Sequence, residues 1–242
     1  MKKLAFTALF LLFLNIFFCS INTANATLWE RTNNLVYDDV LDITWLKSAN
    51  IAQSSGYGAN YDVLGRMTWE ESMGWIDYLN DRSYLGYNDW RLPHINPANG
   101  ISYNNSLSYD GSTDRGYNNM TQQSELAYMY YVNLNNIAYY DNYGHPSQSG
   151  WDVKNAGPFT DLDFSINSVY WSETVYNLRD DAAWSFGFYR GYQSGNSNTD
   201  MCYAWAVRDG DVTAPVPEPS TILLMGIGLL GLIGIKTRKK KS

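Results

Sequence analysis

Apolar residues recur along this chain with two different periods, and the change of period sets out its elements. Leu28-Trp29-Glu30-Arg31, an Asn33-Asn34 turn and Leu35-Val36-Tyr37 predict a hairpin, with a further strand over Ile43-Thr44-Trp45-Leu46. Thr68-Trp69-Glu70-Glu71 is a capping box that predicts a helix to about Asn80, with Trp69, Met73, Ile76 and Leu79 on its inward stripe. A second helix is predicted from about Gln122 to Leu134, with Leu126, Met129, Tyr130 and Asn133 in range of one face. Between them, residues 86–93 read as a turn into a short extended segment that Pro93 stops, where Asp89 and Arg91 form a structural ion pair flanking a buried Trp90. The last third predicts strands over Val169–Glu173, Ala183–Tyr192 and Tyr203–Arg208, with Trp171 a second buried anchor.

Periodicity leaves three long polar stretches unexplained: residues 96–119, 139–151 and 191–200, all rich in Asn, Gly, Ser and Tyr. Loops of this length in a compact domain are either functional or mobile, and both readings stand. All 20 Tyr and all 9 Trp lie between the two ends of the chain. Tyr among Asn, Ser and Gly is the composition of adaptable binding surfaces, although the plainer use of most rings is to fill a core. Tyr103, Tyr109 and Tyr117 recur through the first stretch and are the candidate ligand-binding residues, expected on loop tips that add little to the core.

Charge and chemistry narrow the classes. Of 17 Lys and Arg, seven stand in the terminal segments, which leaves 10 against 24 Asp and Glu, a balance of −14. Such a surface opposes nucleic acid and other polyanions. His94 and His145 are the only histidines and lie far apart in sequence, with neither H-E-x-x-H nor Cys/His ligand spacing, so a zinc hydrolase lacks its ligands. No G-x-S-x-G turn supports a serine nucleophile. The expectation is a non-catalytic protein without a cofactor. Asp38-Asp39-Asp42 and Asp209-Gly210-Asp211 have the oxygen chemistry for calcium, though solvated loop charges explain them as well.

The N-terminus has the form of an export signal: Met1-Lys2-Lys3, an apolar run from Leu4 to Cys19 and Ala24-Asn25-Ala26 predict cleavage after Ala26. Cleavage leaves Cys202 as the one exported cysteine, so no internal disulfide can form. Residues 27–213 read as one domain, since no Pro/Gly/Ser linker interrupts them before Ala214.

Six motifs in order, Asp42-Ile43-Thr44-Trp45-Leu46, Gly65-Arg66-Met67-Thr68-Trp69, Tyr87-Asn88-Asp89-Trp90-Arg91-Leu92-Pro93, Ser124-Glu125-Leu126-Ala127-Tyr128, Tyr170-Trp171-Ser172-Glu173-Thr174 and Tyr203-Ala204-Trp205-Ala206-Val207-Arg208-Asp209-Gly210, resemble the Lcl C-terminal domain family. The resemblance implies an α+β, C-type-lectin-like fold related to that of the sulfatase-modifying-factor group, with two helices flanking a twisted antiparallel sheet and long loops supplying the binding face. The oxidase chemistry of those relatives looks to depend on paired cysteines, which this domain lacks. The collagen-like adhesin that names the family looks like a binder of sulfated glycans through basic residues. This chain, at −14 and without a collagen-like repeat, departs from that, and contact with a surface glycan or matrix carries over.

Residues 214–242 read as a sorting signal. Thr221–Ile235 is an apolar run of fifteen residues, about 22 Å of helix against a hydrocarbon core near 30 Å, and so a marginal transmembrane helix. The basic residues behind it stay inside and place the domain outside the cytoplasmic membrane. Pro217, Glu218 and Pro219, the apolar run and Lys239-Lys240-Lys241 resemble the PEP-CTERM signal, recognised by exosortase-type enzymes in Gram-negative bacteria that make extracellular polysaccharide. Gly226, Gly228 and Gly231 spell G-x-G-x-x-G inside that run, but no βαβ unit accompanies them. The leading expectation is a surface or matrix protein whose module binds polysaccharide or another matrix component. A structural matrix protein making protein–protein contacts is the alternative, and an enzyme of unknown reaction comes third. In a host with an active exosortase, intact-mass measurement of the surface protein should find Lys239–Lys241 removed. Replacing Pro217 and Glu218 with Ala should trap the protein in the membrane fraction; an unchanged distribution would overturn the motif.

Overall fold

The computed structural model describes residues 27–212. The export signal over residues 1–26, the sorting motif at Pro217, Glu218 and Pro219, and the transmembrane helix expected over 221–235 lie outside the described residues. Among those described, no helix is long and apolar enough to cross a membrane.

The N-terminal hairpin forms as the pattern predicts. β1 (Leu28–Arg31) and β2 (Leu35–Asp38) pair through a turn whose Asn33 and Asn34 both take positive φ, 63° and 58°, the conformation that matches strand twist. β3 (Ile43–Leu46) pairs with β2 and with the last strand, β9 (Val207–Asp209), closing a four-stranded antiparallel sheet β1-β2-β3-β9. A second sheet, β4-β5-β8-β7-β6, holds Leu107–Ser108, Arg115–Gly116, Val169–Val175 (β6), Ala182–Gly187 (β7) and Tyr192–Ser197 (β8). All its pairs are antiparallel except β4 with β5. The α+β class therefore holds, with two sheets in place of the single twisted sheet expected.

Helix α1 (Trp69–Asp81) begins at the predicted capping box: Thr68 Oγ1 accepts from Glu71 N at 3.3 Å and Glu71 Oε2 from Thr68 N at 3.0 Å. Its buried face is Ser72, Trp75, Ile76 and Leu79. Trp69 and Met73 sit at its margin, because the sheet receives the Trp69 indole edge-on, with Nε1 donating to Ser172 O at 2.9 Å. Helix α2 is shorter than predicted: one α turn, Glu125–Tyr128, runs into a π turn, Met129–Asn133. Seven consecutive residues from Glu125 to Tyr131 are buried, so there is no polar face from which a period could show.

Two further expectations change. The strand expected over Ala183–Tyr192 breaks at residue 188, and the polar stretch after Gly191 is itself strand β8. The inward residue there is polar: Gln193 is fully buried, accepts from Ser124 Oγ at 2.6 Å and donates to Asp114 O at 2.7 Å. Tyr203–Ala206, expected as strand, runs between the two sheets and bridges to both.

The core is aromatic. Trp45, Trp75, Trp171, Trp184, Trp205, Tyr130, Tyr170, Phe186 and Phe188 are fully buried. Trp90 and Trp171 are buried as predicted, their indole N–H groups donating to Tyr84 O and Met67 O at 3.0 Å each. Trp90→Ala or Trp171→Ala should cost about 3–5 kcal/mol in chemical denaturation; an unchanged midpoint would show that the ring does not hold the core.

Candidate functional site

The β7–β8 hairpin builds an aromatic-walled surface suited to a ligand. Its connection, residues 188–191, turns at Gly191, where φ is +71° and a Cβ would stand 2.6 Å from Tyr131 Oη. Phe188 anchors the loop, fully buried, with its N–H donating to Ser168 O at 2.8 Å. Tyr189 is therefore left half-buried and Arg190 exposed at the tip. Val169, Gly187 and Tyr192 are cross-strand partners and share one face of the sheet. Gly187 contributes no side chain, and a hollow of about 210 Å³ opens there, lined by Ile166, Ser168, Val169, Gly187, Tyr189, Arg190 and Tyr192. Ser168 is fully buried, and its hydroxyl oxygen has no hydrogen-bond partner among the described residues. Such an orphan costs about 1–3 kcal/mol and marks a place where a polar partner is wanted.

Behind the hollow the rings form a continuous belt. Tyr192 lies 4.9 Å from Tyr117, which stacks on Tyr109 at 5.7 Å and 4° and meets Tyr140 at 4.9 Å. Tyr140 leads to Tyr139 at 4.9 Å, Tyr139 to Trp151 at 4.7 Å, and Trp151 to Tyr189 at 5.6 Å, the other wall of the hollow. The Arg190 guanidinium lies over Tyr139 and Tyr189, 4.7 and 5.5 Å from the ring centres, and Arg115 Nε donates to Tyr192 Oη at 3.2 Å. Lys154 reaches under the belt, its Nζ donating to Tyr130 Oη at 2.8 Å and lying 5.3 Å from the Trp151 ring. Burial pushes its amine down to about 8.

Of the three candidate tyrosines, the structure brings Tyr109 and Tyr117 into this belt and leaves Tyr103 out. Tyr117 is only 8 % exposed. Tyr103 stacks on Trp184 at 5.4 Å in a separate cluster, its hydroxyl donating to Ile95 O at 2.8 Å. All three rings are thus built into the packing, not free on loop tips as expected, because the 96–119 stretch is drawn inward by the carboxylate of Asp114, which accepts from Ala98 N and Asn104 N at 2.6 Å each. Sequence reasoning missed Tyr189, Arg190 and Tyr192. The signal available was the run Gly187-Phe188-Tyr189-Arg190-Gly191, aromatic residues held between two glycines.

The acidic and histidine residues find structural partners. Asp89 does not pair with Arg91: it binds Arg208 in two hydrogen bonds of 2.8 Å, whereas Arg91 binds Glu125 in two of 2.8 Å and also reaches Asp209. Asp38 accepts from Val40 N and Leu41 N, Asp39 from Trp29 Nε1, and Asp211 from Arg31. Among the described residues no group of three His, Cys, Asp or Glu is placed to hold a metal ion. His94 meets Glu173 at 3.1 Å and His145 meets Asp141 at 2.9 Å. Burial pushes the Cys202 thiol far up, which keeps it from acting as a thiolate.

An α+β domain with an aromatic-walled hollow, followed by a terminal sorting segment, is the class that this structure and sequence define. The chain belongs to the Lcl C-terminal domain family, whose model matches residues 34–208. Residues 215–239 match the PEP-CTERM protein-sorting motif, which makes this an exported, exosortase-sorted protein, membrane-anchored as a precursor and then placed at the cell surface or outside it. No curated protein and no solved structure matches the chain.

Lys154 gives a pH test of the belt. Its folded-state amine titrates near 8 against an ordinary 10.5, so between those values the unfolded chain binds more protons and this group makes stability rise with pH. Denaturation across that interval should show wild type gaining stability relative to Lys154→Met as pH rises. Parallel curves would mean that the amine is solvated.

Proposed function

We propose that residues 27–212 are a non-catalytic module that holds a neutral polysaccharide at the cell surface or in the extracellular matrix. The observation that carries this reading is the hollow over Gly187, walled by Tyr189 and Tyr192 and backed by the ring belt. A sugar ring offers an apolar C–H face to an aromatic wall and hydroxyls to an exposed donor such as Arg190. The C-type-lectin-like architecture implied by the family resemblance agrees with this use. Tyr109 and Tyr117 support Tyr192 from behind, which makes them positioning rings for the site. The −14 balance argues for a neutral rather than a sulfated chain.

On a glycan array the exported protein should retain neutral glycans equally at low and physiological salt, because stacking and hydroxyl hydrogen bonds are not screened by ions. Tyr189→Ala should weaken retention about tenfold, the size of a lost aromatic anchor. Retention that falls steeply with salt would point to counterion release and a polyanion instead.

A further inference from the structure

The hollow over Gly187 does not end at its own rim. A second cavity, of about 310 Å³, adjoins it, and Ile166 and Val169 line both. The second part has a different character: Arg66, Asn167, Asn196 and Asp200 line it, with no aromatic side chain. Arg66 is already paired with Asp62, its Nε donating to Asp62 Oδ2 at 2.7 Å, so this part carries polar groups without a free positive charge. We propose that the two cavities are one groove that binds a linear neutral oligosaccharide across at least two sugar units. One unit stacks between Tyr189 and Tyr192 over Gly187. The next passes Ile166 and places its hydroxyls against Asn167, Asn196 and Asp200.

Three observations fit this occupant. Neither cavity alone reaches the 300–1,000 Å³ range by much, the first falling below it, while together they offer room for an extended ligand. The step from an aromatic wall to amide and carboxylate groups repeats the two faces of a sugar chain, apolar C–H patches and hydroxyl edges. The buried hydroxyl of Ser168, beside the first part, has no partner among the described residues.

The inference rests on the neutral-polysaccharide reading, and the test separates the two. Affinity of the exported protein is measured for neutral homo-oligosaccharides from single sugars to hexamers: glucose in β-1,4 and α-1,4 linkage, mannose and N-acetylglucosamine in β-1,4 linkage. At least one series should gain about tenfold or more from the single sugar to the trimer. Gly187→Val should abolish binding of every length. A Cβ at Gly187 would meet Tyr192 O at 3.6 Å and Val169 Cγ2 at 3.9 Å, ordinary contacts, so the backbone has room for a Cβ, and the valine methyls beyond it are meant to fill the hollow. Should that variant melt early, Tyr189→Ala serves in its place. Asn167→Ile, at an exposed position lining the second cavity only, should erase the gain with length and leave single-sugar affinity unchanged. Binding without length dependence, or a length gain untouched by Asn167→Ile, overturns the groove and leaves the neutral-glycan reading standing. No binding in any series overturns both.

Discussion

The segment Cys202–Val207 is the tie on which the two sheets depend. Cys202 exchanges two hydrogen bonds with Met67, at 2.9 and 3.0 Å, just ahead of α1. Tyr203 donates to Val169 O and accepts from Trp171 N, which attaches it to β6 of the second sheet. Ala206 O accepts from Leu46 N, and Val207 pairs with β3 and exchanges bonds with Arg91, which fixes the same strand to the first sheet. Between these attachments Trp205 is fully buried, 4.5 Å from Trp45 and 4.8 Å from Phe159, with its indole N–H on Leu46 O at 2.7 Å. A backbone buried between two layers needs partners for its polar groups, and Cys202, Tyr203, Ala206 and Val207 find theirs on Met67 and then on both sheets in turn.

The tryptophans act as connectors as much as filler. Trp69, Trp90, Trp171 and Trp205 each place an apolar ring in or against the core and spend the indole N–H on a carbonyl, three of them on a distant segment: Ser172, Met67 and Leu46. That combination replaces what a disulfide would do in a small exported domain. The buried Arg91–Glu125 pair adds to it, since Glu125 also accepts from His94 N at 2.7 Å and so holds α2 against the extended segment after Trp90.

This rigid frame is what lets the β7–β8 hairpin present Tyr189 and Arg190 in a fixed place. Phe188 is fixed in the core and Gly191 is hemmed in by Tyr130 and Tyr131, so the two residues between them have little choice of direction. The tyrosines divide accordingly. Tyr130, Tyr131 and Tyr170 are buried, while Tyr139, Tyr140, Tyr189 and Tyr192 stay half-exposed in the belt.

Some features were legible in the sequence because they rest on near neighbours. The capping box at Thr68 and Glu71, the Asn33-Asn34 hairpin, the burial of Trp90 and Trp171, and the order of family motifs all follow from local chemistry or short patterns. The sorting signal is equally local, three features in a row within residues 215–239. The tertiary structure alone decided which charges pair, that Tyr103 leaves the belt, that β8 is a strand, and that a hollow opens over Gly187. Each of these turns on partners far apart in the chain: Asp89 with Arg208, Arg91 with Asp209, Gln193 with Ser124 and Asp114. A polar residue such as Gln193 becomes an inward position only when those partners arrive, and a glycine such as Gly187 becomes the floor of a site only when two strands and a loop close around it. Sequence pattern registers which residues prefer burial, but not which distant groups will satisfy them.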